Sequence, residues 1–183
     1  VNSSYKRLRY GLSQTLNYQK LQSSSEVVDN IHYLFNVYLE IIVAKNHSIN
    51  LRTSRQLENP MLANIYHQPI LTSYQSLMRN DGRLGQIKST ISSLDYTISD
   101  FYNTFYLKAS LTHTQNDKNY YSFTAFAPSL MYNNMVLLNQ GNNRSRFGLS
   151  VHKLIPFIKV NFKYNGSYSF ATNYNLVGTS DLR

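Results

Sequence analysis

Residues 5–20 read YKRLRYGLSQTLNYQK. Even positions carry Lys6, Leu8, Tyr10, Leu12, Gln14, Leu16 and Tyr18. Odd positions carry Arg7, Arg9, Gly11, Ser13, Thr15, Asn17 and Gln19. One set is apolar and aromatic; the other is wholly polar. A helix would scatter Leu8, Tyr10, Leu12 and Leu16 around its circumference, whereas a strand sends them all to one side. A period of two therefore decides the fold class, which is all-β.

The period recurs along the chain. Over 31–44 the apolar set is Ile31, Tyr33, Phe35, Val37, Leu39, Ile41 and Val43, opposite His32, Asn36, Tyr38 and Glu40. Lys45-Asn46-His47 makes a short turn, and 48–56 alternates again. Residues 86–98 alternate weakly. Phe105, Leu107, Ala109 and Leu111 oppose Tyr106, Lys108, Ser110 and Thr112. Residues 144–152 set Phe147, Leu149 and Val151 against Arg144, Arg146, Ser150 and His152. Ile158, Val160, Phe162, Tyr164, Tyr168 and Phe170 stay in phase through Gly166, which predicts one strand over 157–171. The connections are rich in Asn, Asp, Ser and Gly: 21–30, 57–85, 115–119 and 139–143. No fixed-period repeat or linker divides the chain.

Composition removes several classes. The chain has 183 residues, a net charge of +9, 14% aromatics, 7 Gly, 4 Pro and no Cys. Collagen-like and low-complexity chains are excluded, as are disulfide-stapled folds and Cys-ligated metal centres. Sixteen tyrosines and nine phenylalanines are too many for disorder. The N-terminus, Val1-Asn2-Ser3-Ser4, lacks the charged and apolar regions of a signal peptide, so either one has been removed or this is an internal piece. Val37 to Ala44, the best apolar stretch, is too short for a spanning helix and contains Glu40. The mean hydropathy of −0.38 reads as soluble, but a membrane β-barrel averages polar as well, because its strands alternate lipid-facing and water-facing residues.

Two all-β folds share this pattern, a soluble β-sandwich and a transmembrane β-barrel. Several strands exceed the usual five or six residues of a sandwich strand. Tyr and Phe crowd the apolar face, as in the aromatic girdles of a barrel, and Asn, Ser, Thr, Lys and Arg suit a wet lumen. Connection lengths alternate long (21–30), short (45–47), long (57–85), short (99–102), long (115–143, an excursion with its own arms) and short (153–156). That order predicts seven strands. Reading 120–132 as a further spanning strand makes eight and breaks the alternation. Bacterial barrels have even strand numbers, so seven implies a sheet that does not close by itself. The inward face would carry Arg7, Arg9, Arg52, Lys108, Arg144, Arg146, Lys159 and Lys163, with Glu40 as its clearest acid. A small, filled barrel could not bury so many cations. The fold predicted over 1–183 is thus one segment of an antiparallel transmembrane β-barrel, an arc of about seven to eight long strands of a larger barrel.

Residues 43–60 carry a family resemblance. Lys45-Asn46-His47 closes a strand, the next strand returns to Ser54-Arg55, and Pro60 follows in a loop. This resembles the barrel domain of TonB-dependent outer-membrane receptors of the Bacteroidota type. Asn80-Asp81-Gly82-Arg83-Leu84 is similar to the family's Gly-Asn-Pro-x-Leu element without its Pro, and Phe105-Tyr106 resembles an aromatic pair that opens a later strand. The resemblance covers 31–165. There is no plug domain, no TonB box and no aromatic C-terminal residue; the chain ends Ser-Asp-Leu-Arg, which implies a fragment. The resemblance implies uptake of a scarce nutrient (a siderophore, metal chelate or glycan) across a bacterial outer membrane. It further implies lipopolysaccharide, the remaining barrel strands, a plug and TonB as partners. Barrels with plugs have about 22 strands. The alternatives are a small stand-alone barrel with a structural or adhesive role, and a soluble β-domain binder.

The basic inward face suits an anionic cargo or the carboxylates of a plug. In loop 57–85, Tyr66, His67, Tyr74 and Arg79 are the candidate cargo contacts, since aromatics and Arg favour recognition surfaces. The five histidines have no metal-ligand spacing, no cofactor motif is present, and no nucleophile elbow, phosphate loop or zinc-protease helix occurs. The reading is therefore of a non-enzyme. The positive charge is spread over many strands without a recognisable motif, which argues against nucleic-acid binding.

Overall fold

Alternating β-branched and aromatic residues favour an extended, half-covered backbone, and nearly every described residue adopts one. The computed structural model describes residues 7–22, 27–59, 68–80, 85–127 and 129–172. The strands are β1 (Arg7–Gln22), β2 (Val27–Ala44), β3 (His47–Glu58), β4 (Ile70–Ser73), β5 (Ser76–Asn80), β6 (Ile87–Asp100), β7 (Phe105–Asn116), β8 (Asn119–Ala127), β9 (Leu130–Leu138), β10 (Asn143–Ile155) and β11 (Val160–Thr172).

Seven strands form the main sheet, in the order β1-β2-β3-β6-β7-β10-β11, with every neighbouring pair antiparallel. β1 and β11 are its edges; they do not pair with each other among the described residues. The arms of the two long excursions make a second sheet, β4-β5-β9-β8. The seven strands and the paired arms within 115–143 agree with the sequence reading, whereas the alternation of connection lengths fails at the first connection, which is as short as that between β6 and β7.

Other expectations are corrected. The first connection is not 21–30. β1 runs to Gln22 and β2 starts at Val27, because Lys20 lies opposite Asp29 and Leu21 opposite Val28, pairs that extend the ladder. Segment 57–85 is not simply a loop, since it holds β4 and β5. The last strand does not start at 157. Pro156–Ile158 form a 3-10 turn, and Lys159 takes the left-handed conformation (φ 53°) that reverses the chain. The second sheet is not wholly antiparallel, because β5 and β9 pair in parallel. The cause is topological. β5 feeds β6 and β9 feeds β10, and those two strands run the same way on either side of β7.

Among the described residues the buried core is small and sits where the second sheet meets the main sheet. Ile87, Tyr121 and Ala125 are buried there, with polar Ser76, Gln86 and Ser89. Gly85 lies so close to Leu137 that a Cβ would overlap that side chain. Tyr120 Oη donates to the Gly85 carbonyl at 3.2 Å, and Tyr121 Oη to the Gln140 carbonyl at 3.1 Å. The Asp117 carboxylate accepts from the Lys88 amide at 2.7 Å. The bonds to Gly85 and Lys88 tie the second excursion to the start of β6, and the bond to Gln140 closes that excursion on itself.

Candidate functional site

The antiparallel register builds the polar face in rows. One row runs Arg9, Glu40, Asn50, Asp95, Ser110, Gly148, Ser167; the next runs Gly11, Tyr38, Arg52, Ser93, Thr112, Arg146, Ser169. Of the eight sequence-predicted cations, seven lie on this face. Arg7, Arg52, Lys108, Arg144, Arg146 and Lys163 share this phase with Arg9. Lys159 does not, because it belongs to the turn before β11.

Several cations have partners. Arg9 Nη1 lies 3.4 Å from Glu40 Oε2, and Tyr38 Oη donates to the same carboxylate at 3.0 Å. Arg52 Nε donates to Asn36 Oδ1 at 3.1 Å, and Arg146 Nη2 to Ser167 Oγ at 3.4 Å. Lys108 Nζ sits 3.3 Å from Asp95 Oδ2. These pairs are solvated, so each contributes at most about 1 kcal/mol. They arrange the face more than they stabilise it.

Shallow hollows line this face. One of about 680 Å³ is bounded by Asn36, Tyr38, Glu40, Asn50, Arg52, Ser93 and Asp95. Another of about 350 Å³ lies over Gly148 between Lys108 and Arg146, with hydroxyls from Ser110, Thr112, Ser150 and Ser167. Such a surface holds water and offers donors to polar or anionic solutes.

The proposed contact loop is only partly within the described residues. Tyr66 and His67 lie outside them. Tyr74 stands at the tip of the β4–β5 hairpin, 90% exposed, and Arg79 is exposed on β5 opposite Asn134. The segment is thus a hairpin whose tip presents an aromatic ring.

Two features escaped the sequence reading. Asp95 is a second acid on the polar face; Ser and Thr on both sides of β6 hide its phase. The other is a buried polar cluster. Gln86 bonds His32 and Gln19, and donates to Asn59 Oδ1 at 3.0 Å. His32 is only 5% exposed, and its Nδ1 has no partner among the described residues. Gln86 thereby fastens the start of β6 to the β1–β2 hairpin. Only the in-phase position of His32 with Asn36 and Tyr38 hinted at this.

Among the described residues no three His, Asp or Glu side chains approach closely enough to hold a metal ion. Ser145 and His113 do meet, at 2.8 Å. They face each other across β7 and β10, where the surrounding amides are committed to the ladder. No preorganised donors for a developing oxyanion arise there. Neither a family model, nor a curated protein, nor a solved structure matches the chain.

Proposed function

We propose that this chain forms part of the wall of a bacterial outer-membrane β-barrel of the TonB-dependent receptor kind, with its polar face lining the passage of a scarce nutrient. One observation carries the reading, namely the exposure of the apolar face. Tyr10 is 80% exposed, Leu16 74%, Ile31 72% and Tyr168 69%. Covering one such side chain fully is worth about 1.5–3 kcal/mol, and a whole domain is stable by only about 5–15 kcal/mol. A face this wide is a large liability in water. Hydrocarbon covers it without further protein.

Three observations support the finer reading. The β2–β3, β6–β7 and β10–β11 turns gather at one end of the sheet, and both long excursions lie at the other beside the short β1–β2 connection, a layout close to that of outer-membrane barrels. At the tight-turn end, Phe101, Tyr102 and Phe157 are exposed and Lys45 lies 5.6 Å from the Tyr102 ring centre, the chemistry of an interfacial belt. The resemblance over 31–165 points to a receptor with a plug, and the hollow between Lys108 and Arg146 suits an anionic chelate or glycan.

The test is fractionation of cells with an antibody against 70–80, the β4–β5 hairpin. The expected result is an outer-membrane band several times heavier than the 21.2 kDa of this chain. A membrane band at that mass would favour a small barrel. Recovery without detergent in the soluble fraction would restore the soluble β domain.

A further inference from the structure

Three hollows on the polar face share their walls. The one bounded by Tyr38 and Asn50, and a second of about 410 Å³, both use Arg52, Ser93 and Asp95. That second hollow and the one over Gly148 both use Lys108, Ser110 and Thr112. Together they form one trough that crosses the main sheet from β2 to β11. Five strand steps of about 4.8 Å make it about 24 Å long. Gly148 keeps its floor low, since a Cβ there would stand 2.6 Å from Ser110 Oγ.

The charges of the trough have an order. Arg52, Ser93, Thr112 and Arg146 stand in one cross-strand row. Three strand steps separate the two arginines, about 14 Å at the backbone. Their heads lean apart. Arg52 Nε donates to Asn36 on β2, and Arg146 Nη2 donates to Ser167 on β11, each away from the strands between them. Both partners are neutral, so each guanidinium keeps its charge. The acids of the trough are engaged elsewhere: Glu40 with Arg9 and Tyr38, Asp95 with Lys108. Between the arginines lie that neutralised pair and the hydroxyls of Ser93, Ser110 and Thr112, groups that both donate and accept. The centre of the trough therefore suits sugar hydroxyls, and its two ends suit anions.

This order selects a ligand by length. A compact anion, such as a small metal chelate, meets one guanidinium and leaves the other. A linear ligand with acids set apart by a neutral stretch meets both, and each guanidinium holds a carboxylate through two parallel N–H donors. Resting on the reading of this face as the lining of a passage, we infer that Arg52 and Arg146 are the two anchors of a subsite for a linear oligosaccharide in which carboxylate-bearing and neutral sugars alternate. Once one anchor is engaged, the other meets its carboxylate at high effective concentration. Affinity then rises with chain length until both anchors are filled.

The test uses the native membrane protein in detergent and a fluorescent hyaluronan hexasaccharide, in which glucuronate alternates with a neutral sugar. The expected result is saturable binding, tighter by about tenfold or more than that of the disaccharide, which has a single carboxylate. Methyl esterification of the hexasaccharide abolishes it. Arg52→Gln and Arg146→Gln, made singly, each lower the affinity for the hexasaccharide to that for the disaccharide. Lys118→Gln removes the same charge from the β7–β8 connection, outside the trough, and leaves binding unchanged. Unaltered amide I spectra show that the sheet of each variant is intact. Equal affinity for the two saccharides, equal effects of all three substitutions, or no binding of the hexasaccharide would each overturn the inference. A lipid-borne photoprobe, read at Leu39 and Leu111 on the apolar face, separates its failure from that of the barrel. Lipid adducts without saccharide binding leave the barrel and remove the subsite. Saccharide binding without adducts leaves the subsite and removes the barrel.

Discussion

Tyr120 joins the two sheets through one hydroxyl. It donates to the Gly85 carbonyl at 3.2 Å, and its half-buried position pushes its pKa up. Tyr120→Phe removes that bond and leaves the ring, so the expected loss is about 0.5–1.5 kcal/mol. Hydrogen exchange of the β8–β9 amides reads it directly, as faster exchange there and unchanged exchange in β1–β2. The pH dependence has a fixed sign. A tyrosine whose folded pKa is raised contributes its stability fully below the unfolded value of about 10 and loses it as pH rises through the folded value. The arms of the native protein should therefore loosen above about pH 10 by more than those of the Phe variant. Equal alkaline loosening in both would remove Tyr120 as the cause. Residues differ in how openly they declare themselves. Glu40 stands out because its strand has bulky apolar neighbours on the opposite face. Asp95 sits among Ser92, Ser93 and Thr97, short polar side chains that populate both faces of β6 and erase its phase.

For an element, phase is the property that matters. On β7, Leu111 lies in a row with Leu39, Leu51, Leu94, Phe147 and Tyr168, while its neighbour Thr112 lies in the row of Arg52 and Arg146. Leu111→Arg puts a charge on the apolar face, three residues from the centre of the band, and if the sheet lies in a bilayer should destabilise the protein by about 1–3 kcal/mol, between the midplane and interface values. Thr112→Arg, one residue away on the wet face, should cost under about 1 kcal/mol, the scale of an exposed charge. Urea unfolding in lipid vesicles separates them, and equal costs would contradict the assignment of faces. This same alternation made the seven wall strands legible, because a two-residue period over a dozen residues has no helical counterpart. The arms were less legible. β4 and β5 are only 4 and 5 residues long, too short to establish a period. Their parallel partnership with β9 depends on which wall strands they feed, and that is a property of the assembled sheet. Lys159 shows the opposite failure. Its alternation with Ile158 and Val160 continues smoothly through a residue whose backbone turns left-handed.

At the scale of the whole sheet, the apolar band is oblique to the strands. On β1 it runs from Leu8 to Tyr18, centred on Ser13. The register carries Ser13 through Asn36, Ser54, Ile91, Thr114 and Arg144 to Ala171 on β11. Yet the band on β11, from Val160 to Phe170, is centred on Asn165, six residues earlier and six strand steps away. Neighbouring strands agree: Tyr96, at the centre of the band on β6, lies opposite Ala109, one residue from Lys108 at the centre of the band on β7. Hydrogen-bonded rows run perpendicular to strands, whereas a bilayer is flat. A band that slips one residue per strand therefore means tilted strands. One residue is about 3.3 Å along a strand and one step about 4.8 Å across, which gives a tilt of about 35°. Outer-membrane barrels have strands tilted by about 35–45°, the inclination that the sequence pattern and the register would give this sheet if the proposed bilayer surrounds it. Polarised infrared spectroscopy of the native protein in oriented bilayers measures this angle through the amide I dichroism. The expected value is about 35–45°. Strands aligned with the bilayer normal would mean that the apolar band does not follow the hydrocarbon layer, and the face would then need a protein to cover it.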